Sequence, residues 1–214
     1  SCANIEKDGI LLLDSGGQYT NGTTDITRTI TLGNPTEEQK RNFTLVLKGH
    51  IGLTLAKFPE RTTGVQLDTL ARINLWKHNL NYGHGTGHGV GFFLNVHEPP
   101  QGFATNPGTS RGTTYISPGM FTSNEPGYYK TGEYGIRIEN LILCVIDKEI
   151  DDTKWYKFET LTLFPIDLNL VKRELLSEEE RNWLNDYHKE VYEKLSPQLD
   201  KQEAEWMKRM CRVI

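Results

Sequence analysis

The chain is 214 residues long, with 36% hydrophobic and 24% charged residues, a formal net charge of −4 and a pI near 5.9. That is the balance of a soluble globular domain with room for an appended segment, and it excludes the broad basic face on which nucleic-acid binding rests. No apolar run is long enough to span a bilayer, so neither nucleic acid nor membrane is expected as a partner.

The N-terminus lacks the charged-then-apolar pattern of a secretory leader, and Ser1 opens the chain in what reads as the end of an extended segment cut from a longer protein. Three scattered cysteines, Cys2, Cys144 and Cys211, match neither a disulfide framework nor a zinc-finger spacing, which predicts reduced thiols and a cytoplasmic location. Gly9 to Asp14 is a short apolar run ending in a carboxylate, the pattern of a buried strand that delivers Asp14 at its end. Ser15-Gly16-Gly17 and Asn21-Gly22 supply turns, and Asp25 to Leu32 alternates as a half-buried strand does. Asp14 and Asp25 would then face each other across a hairpin and repel unless protonated, paired or holding a cation. A turn cap at Asp14 and a plain strand start at Asp25 explain the same residues equally well.

Thr36-Glu37-Glu38-Gln39 is a capping box, and Phe43, Leu47, Ile51, Leu55 and Phe58 at helical spacing predict a helix to about Pro59, with His50 a structural residue on its apolar stripe. A second helix is predicted over Val65 to Lys77, its buried side marked by Leu67, Leu70, Ala71 and Ile73. Next comes Tyr82 to Gly91, in which glycine flanks both His84 and His88. So many glycines argue against a helix and for a loop that lets groups approach closely and aims the two imidazoles at a site, in different roles. His97 follows beyond the apolar run Val90 to Val96, which as a strand would turn it back to the same place. A lone histidine is ordinarily a hydrogen-bonded structural residue, but three in so short a span shift the balance toward a site.

Pro99 to Gly119, rich in Gly, Pro, Ser and Thr, reads as a long surface connection. Met120 to Tyr129 is an extended run that reaches a carboxylate, Glu125, at a Pro-Gly turn; Gly135 to Asn140 alternates, with Arg137 and Glu139 on one face. Glu125 and Glu139 make a second pair of facing carboxylates, although Arg137 and Glu139 would also serve as a structural ion pair. Strands are predicted at Leu141 to Ile146 and Tyr156 to Leu163, joined across the polar segment Asp147 to Lys154. From a capping box at Ser177, Leu184, Tyr187, Val191 and Leu195 line a helix that ends at Ser196-Pro197, and a last helix near Gln202 to Arg212 carries Trp206 and Met210.

Four of these stretches, Gly22 to Thr29, His84 to Gly91, Asn124 to Tyr129 and Gly135 to Asn140, resemble in order and spacing the motifs of the Xaa-Pro aminopeptidases of the long aminopeptidase P type, in the metallopeptidase family that includes methionine aminopeptidase and prolidase. The resemblance runs from about Gly9 to Pro165 and more weakly beyond. It implies an α/β pita-bread fold in which a curved antiparallel sheet is flanked by helices, with a metallopeptidase domain over residues 1–165 and a C-terminal helical extension over 166–214. It also implies two divalent ions held by Asp14, Asp25, His88, Glu125 and Glu139, with Asp25 and Glu139 bridging. So oxygen-rich a ligand set suits Mn²⁺, with Co²⁺ or Zn²⁺ as alternatives. The implied reaction is attack of an activated water on the carbonyl of the first residue when proline is second. Glu125 moves the proton, His84 and His97 hold the substrate carbonyl and the tetrahedral intermediate, and Arg137 orients the bridging carboxylates. His97-Glu98-Pro99-Pro100 departs from the family in having proline where relatives have glycine after the Glu, and the first part of the family's domain has no counterpart after Ser1. Rivals are a prolidase-type dipeptidase and a metal-free peptide-binding relative. A homodimer through the C-terminal region is expected from its apolar helices, as is packing of those helices on their own chain.

Overall fold

The computed structural model, which describes residues 4–108 and 110–214, begins with a hairpin in which β1 (Ile10–Tyr19) runs antiparallel to β2 (Gly22–Thr31). The predicted turn at Ser15-Gly16-Gly17 is absent. β1 continues through both glycines because β2 pairs with it all along, and the chain reverses at Thr20-Asn21. Asp14 is therefore mid-strand, not at a strand end. It lies opposite Thr27, while Asp25 lies opposite Gly16. Period-two alternation puts Asp14, Asp25 and Thr27 on one face as diagonal neighbours, not as a directly facing pair.

Helix α1 (Glu37–Thr54) starts at the predicted capping box: Gln39 N–H donates to Thr36 Oγ1 at 3.1 Å and Thr36 N–H to Gln39 Oε1 at 2.8 Å. It ends five residues short of Pro59. Proline disfavours helical geometry in the residue before it, and Phe58–Pro59 instead forms the short strand β3 against Trp155 and Tyr156. Helix α2 (Gly64–Trp76) agrees with its predicted span to one residue at each end. Then come β4 (Gly87–His88), β5 (Gly102–Phe103), a single helical turn α3 (Ser110–Thr113), β6 (Phe121–Asn124), β7 (Gly127–Lys130) and β8 (Tyr134–Arg137). The predicted surface connection is in fact partly core: Gln101, Gly102, Phe103 and Ile116 are buried. Gly64 permits it, since a Cβ there would sit 1.8 Å from the Gly102 carbonyl oxygen.

β9 (Asn140–Ile150) outruns its predicted strand and β10 (Thr153–Thr160) begins and ends three residues before its own, because Asp151 and Asp152 take left-handed backbone (φ 48° and 60°) and make a tight turn inside the segment read as a polar connection. The main sheet has the order β3-β10-β9-β6, with β1-β2, β4-β5 and β7-β8 as further antiparallel pairs. One core lies between β10, β9, α2 and the end of α1, around Leu53, Phe103, Ile142 and Phe158. The other joins α1 and β8 to the tail.

In the tail, α4 (Glu178–Leu195) starts at its Ser177 capping box and α5 (Lys201–Met210) follows a second one at Asp200. Leu184, Tyr187 and Val191 are buried in the chain's own core with Phe43, Leu47 and Ile51. Each such buried side chain contributes about 1.5–3 kcal/mol. Of the apolar residues that suggested a homodimer surface, Trp206 is the one left substantially exposed, at 39%. Arg28 ties the tail to the hairpin: fully buried, it donates to the carbonyls of Phe164 and Pro165, to Asn140 Oδ1 and to the Tyr187 hydroxyl. Cys144 and Cys211 are free thiols, and Cys2 lies outside the described residues. Among the described residues, no helix is long and apolar enough to cross a membrane.

Candidate metal centre

Three chain segments deliver Asp25, His88 and Glu139 to one point. All three are buried, and a ligand atom of each lies within 4.8 Å of the other two. Asp25 comes from β2. Glu139 follows β8 and is docked on β2 twice: its N–H donates to the Thr27 carbonyl at 3.0 Å, and its Oε2 receives the Thr27 hydroxyl at 2.6 Å. His88 sits on β4, which crosses β6 so closely that a Cβ on Gly87 would lie 1.8 Å from the Ser123 carbonyl oxygen, so only glycine fits there. His88 Nδ1 bonds to the Gly89 carbonyl at 3.0 Å, and with Nδ1 as donor the Nε2 lone pair is left facing the carboxylates.

Glu125 stands at the edge of this group, its Oε1 3.3 Å from His88 Nε2 and receiving the Ser123 hydroxyl at 3.0 Å. Asp14 is adjacent but half-exposed and held by the Arg137 guanidinium. Neither belongs to the mutually close set found among the described residues. The predicted strand Val90 to Val96 does not form: Phe92, Phe93 and Leu94 are exposed at a loop tip, with Leu94 at φ 66°. His97 returns all the same, its ring centroid 4.2 Å from that of His88. His84 lies farther out, with Nδ1 2.7 Å from the Gly85 carbonyl and Nε2 2.8 Å from the Tyr129 hydroxyl. Arg137 does not touch Asp25 or Glu139. It contacts Asp14, the Tyr129 hydroxyl and Thr27 Oγ1, lies 3.9 Å from Glu125 Oε2, and reaches Glu139 through Thr27.

The electrostatics are those of crowded anions. Burial first, then the charges of Asp14 and Glu125, push Asp25 up to about 6 against the opposing pull of His88. Burial, with Glu125 and Asp25 beside it, holds Glu139 well above the ordinary carboxylate range. Burial works against protonation of His88, yet its contacts with Glu125, Gly89 and Asp25 outweigh that and raise its pKa. Buried carboxylates that cannot all ionise together, with one imidazole among them, are the donor set a divalent cation fits.

Beside the group opens a cleft of about 390 Å³, bordered by His84, His88, His97, Arg111, Glu125 and Arg137. A larger groove of about 1100 Å³ lies between β10 and α4, but Glu159, Glu178, Asp186 and Trp183 line it and no site histidine faces it. Sequence reasoning missed Ser123, Thr27, Tyr129 and Arg111. Thr27 was within reach, two residues beyond Asp25 on an alternating strand, and Ser123 stands two before Glu125. Arg111 comes from the aperiodic stretch and carried no signal.

Antiparallel strands thus bring buried carboxylates and an imidazole together beside an open cleft, a donor set suited to a divalent cation. Residues 1–145 match the model of metallopeptidase family M24, and residues 154–214 match that of the C-terminal region of peptidase M24. The chain belongs to metallopeptidase family M24, and its fold is the pita-bread fold. It is 49% identical over 213 residues to a probable Xaa-Pro aminopeptidase P of Coprinopsis cinerea, covering 97% of this chain and 34% of that protein. The crystal structure of X-prolyl aminopeptidase from Caenorhabditis elegans, described as a cytosolic enzyme with a di-nuclear active site, superposes with a TM-score of 0.87 at 44% identity, covering 96% of this chain and 33% of that one. Prolidase from Pyrococcus furiosus superposes with a TM-score of 0.60 at 32% identity, covering 67% and 40%. The chain thus spans about a third of the length of the curated relatives it matches.

Proposed function

We propose that this chain carries the catalytic centre of an Xaa-Pro aminopeptidase, which removes the first residue from peptides with proline second. The observation that carries the reading is the convergence of Asp25, His88 and Glu139 from three separate segments, and the relatives at 49% and 44% identity support the substrate class. In this reading Asp14, Asp25, His88, Glu125 and Glu139 hold two divalent ions, of which Mn²⁺ is the best match to the oxygen-rich donors. When bound, such ions act as Lewis acids and make a coordinated water a stronger nucleophile at neutral pH.

The protein groups supply the rest. Glu125 Oε1 receives the Ser123 hydroxyl, and Oε2, 3.9 Å from Arg137 Nε, takes a proton from the attacking water and passes it to the prolyl nitrogen. His97, kept neutral by burial and by the charges of His88 and Arg111, donates one N–H toward the substrate carbonyl. His84, with Nδ1 on the Gly85 carbonyl and Nε2 on the Tyr129 hydroxyl, faces the same cleft and holds the substrate beside His97. Arg137 holds Asp14 and, through Thr27, steadies Glu139. The division near residue 165 and a cytoplasmic location, in line with the cytosolic C. elegans enzyme, belong to this proposal.

Full-length protein loaded with Mn²⁺ should hydrolyse Xaa-Pro tripeptides and longer peptides with higher kcat/KM than Xaa-Pro dipeptides. The opposite order would favour the prolidase-type reading, to which the similarity with P. furiosus prolidase lends support. Failure on both, together with failure to retain added metal, would leave the peptide-binding reading. A homodimer through the tail would have to use what remains exposed there, Trp206 and Val213. Full-length protein should then sediment as a dimer at micromolar concentration and Trp206→Glu as a monomer, whereas a monomeric parent would dispose of the dimer.

A further inference from the structure

The buried ion pair on α2 has no part in the chemistry above, yet it reaches the histidine loop at alternate residues. Asp68 and Arg72 are each 1% exposed and joined in a fork, Arg72 Nε to Asp68 Oδ2 at 2.6 Å and Nη2 to Oδ1 at 3.2 Å. Arg72 also donates to the Tyr82 carbonyl at 2.8 Å and to the His84 carbonyl at 2.7 Å, and its guanidinium lies 3.8 Å over the Tyr82 ring. Asp68 Oδ1 receives the Thr86 hydroxyl at 2.6 Å. Since that proton is committed, the Tyr82 hydroxyl is the donor in its 2.5 Å contact with Thr86 Oγ1. The backbone of Thr86 in turn accepts the N–H of Glu125 at 2.8 Å.

The loop between these anchors is glycine at 83, 85, 87 and 89. Glycine at every second position gives a segment with little conformational preference of its own, so something outside it must fix where His84 stands. The pair holds residues 82, 84 and 86, the positions between the glycines. His88 is fixed independently, by the Ser123 hydroxyl on its N–H and by β5. A buried ion pair is in general no more stabilising than apolar side chains of the same volume, so net stability alone does not account for this one. What it supplies is direction: a planar fork aimed at two carbonyls and a carboxylate aimed at one hydroxyl.

We propose that Asp68 and Arg72 are positioning residues that set His84 and Glu125 relative to one another through the carbonyls of Tyr82 and His84 and through Thr86. The proposal rests on the roles given to His84 and Glu125 above. In full-length, metal-loaded protein, Arg72→Lys keeps the charge but cannot serve both carbonyls and the carboxylate. Assayed well below its thermal transition, it should lose about 10- to 100-fold in kcat on an Xaa-Pro tripeptide, the usual cost of a small misplacement, with KM within about threefold and metal content unchanged. Thr86→Val, milder for the core, should lose kcat in the same way, and Thr86→Ser should recover it.

A second measurement does not depend on turnover. Carbethoxylation of His84, followed by peptide mass analysis, should be faster in Arg72→Lys and in Thr86→Val than in the parent, with exposed His78 as an unchanged internal standard. If both variants keep the parent kcat and the parent His84 reactivity while only the thermal midpoint falls, the pair is merely structural and the proposal is overturned. If the parent itself fails to cleave Xaa-Pro peptides, the proposed function fails. The His84 reactivity then decides the positioning by itself: faster modification upholds it and parent-like modification overturns it.

Discussion

Replacing Glu125 by Gln in the full-length enzyme should lower kcat on an Xaa-Pro tripeptide by about 10²- to 10⁴-fold, the range over which a positioned general base contributes. The amide has nearly the same shape and still accepts the Ser123 hydroxyl through its carbonyl oxygen, so the local fold is kept. What it loses is the ability to take a proton on the atom corresponding to Oε2. KM should therefore change far less than kcat, the pattern of an interaction realised only in the transition state. Metal content has to be measured alongside, because Glu125 is also proposed as a ligand. A kcat within a few-fold of the parent at full metal occupancy would remove Glu125 from the role of base.

The second large effect links metal, pH and stability. In the metal-free protein Asp25 titrates near 6 and Glu139 higher still, both above ordinary carboxylates. An acid whose pKa is raised by folding favours the folded state while it keeps its proton, so that contribution is complete below about pH 4 and is lost as pH rises. For Asp25 the loss runs from about pH 4 to about 6 and amounts to roughly 2–3 kcal/mol, and Glu139 extends the window upward. Divalent ions replace those protons, so the rise in thermal midpoint on adding Mn²⁺ to chelator-treated full-length protein should be much larger at pH 8 than at pH 5. Glu139→Gln should abolish most of that rise while making the metal-free protein more stable at pH 8, because one buried negative charge is gone. Its metal affinity should drop by more than the roughly 10- to 100-fold that removal of an outer hydrogen-bonding partner costs. A chelated protein whose midpoint is the same at both pH values, with no response to metal, would contradict the carboxylate cluster as a metal site.

Local chemistry alone was enough for the elements that carry their own signals. The capping boxes at Thr36 and Ser177 start α1 and α4 because the reciprocal side-chain bonds involve residues only three apart. The alternation of Asp25 to Leu32 gives β2 because strand periodicity is a property of the backbone. Motif order named the five proposed ligands and the family, since each motif is a short run that survives without knowledge of the rest of the chain. The sequence alone misplaced Asp14: whether Ser15-Gly16-Gly17 turns or stays extended depends on whether β2 lies alongside, and pairing energy there exceeds the local turn preference of the glycines. It lost β3, β4 and β5 as well, for these two-residue strands exist only where distant segments supply partners, as Gly102 does for His88. It gave no sign of Arg111 in the cleft, or of Asp68 and Arg72 beneath the histidine loop, where they read as ordinary helix residues. Contacts between segments far apart in the chain leave no period in it, so the shape of the cleft, the pairing of Asp14 with Arg137 and the anchoring of the glycine-rich loop were decided by tertiary packing.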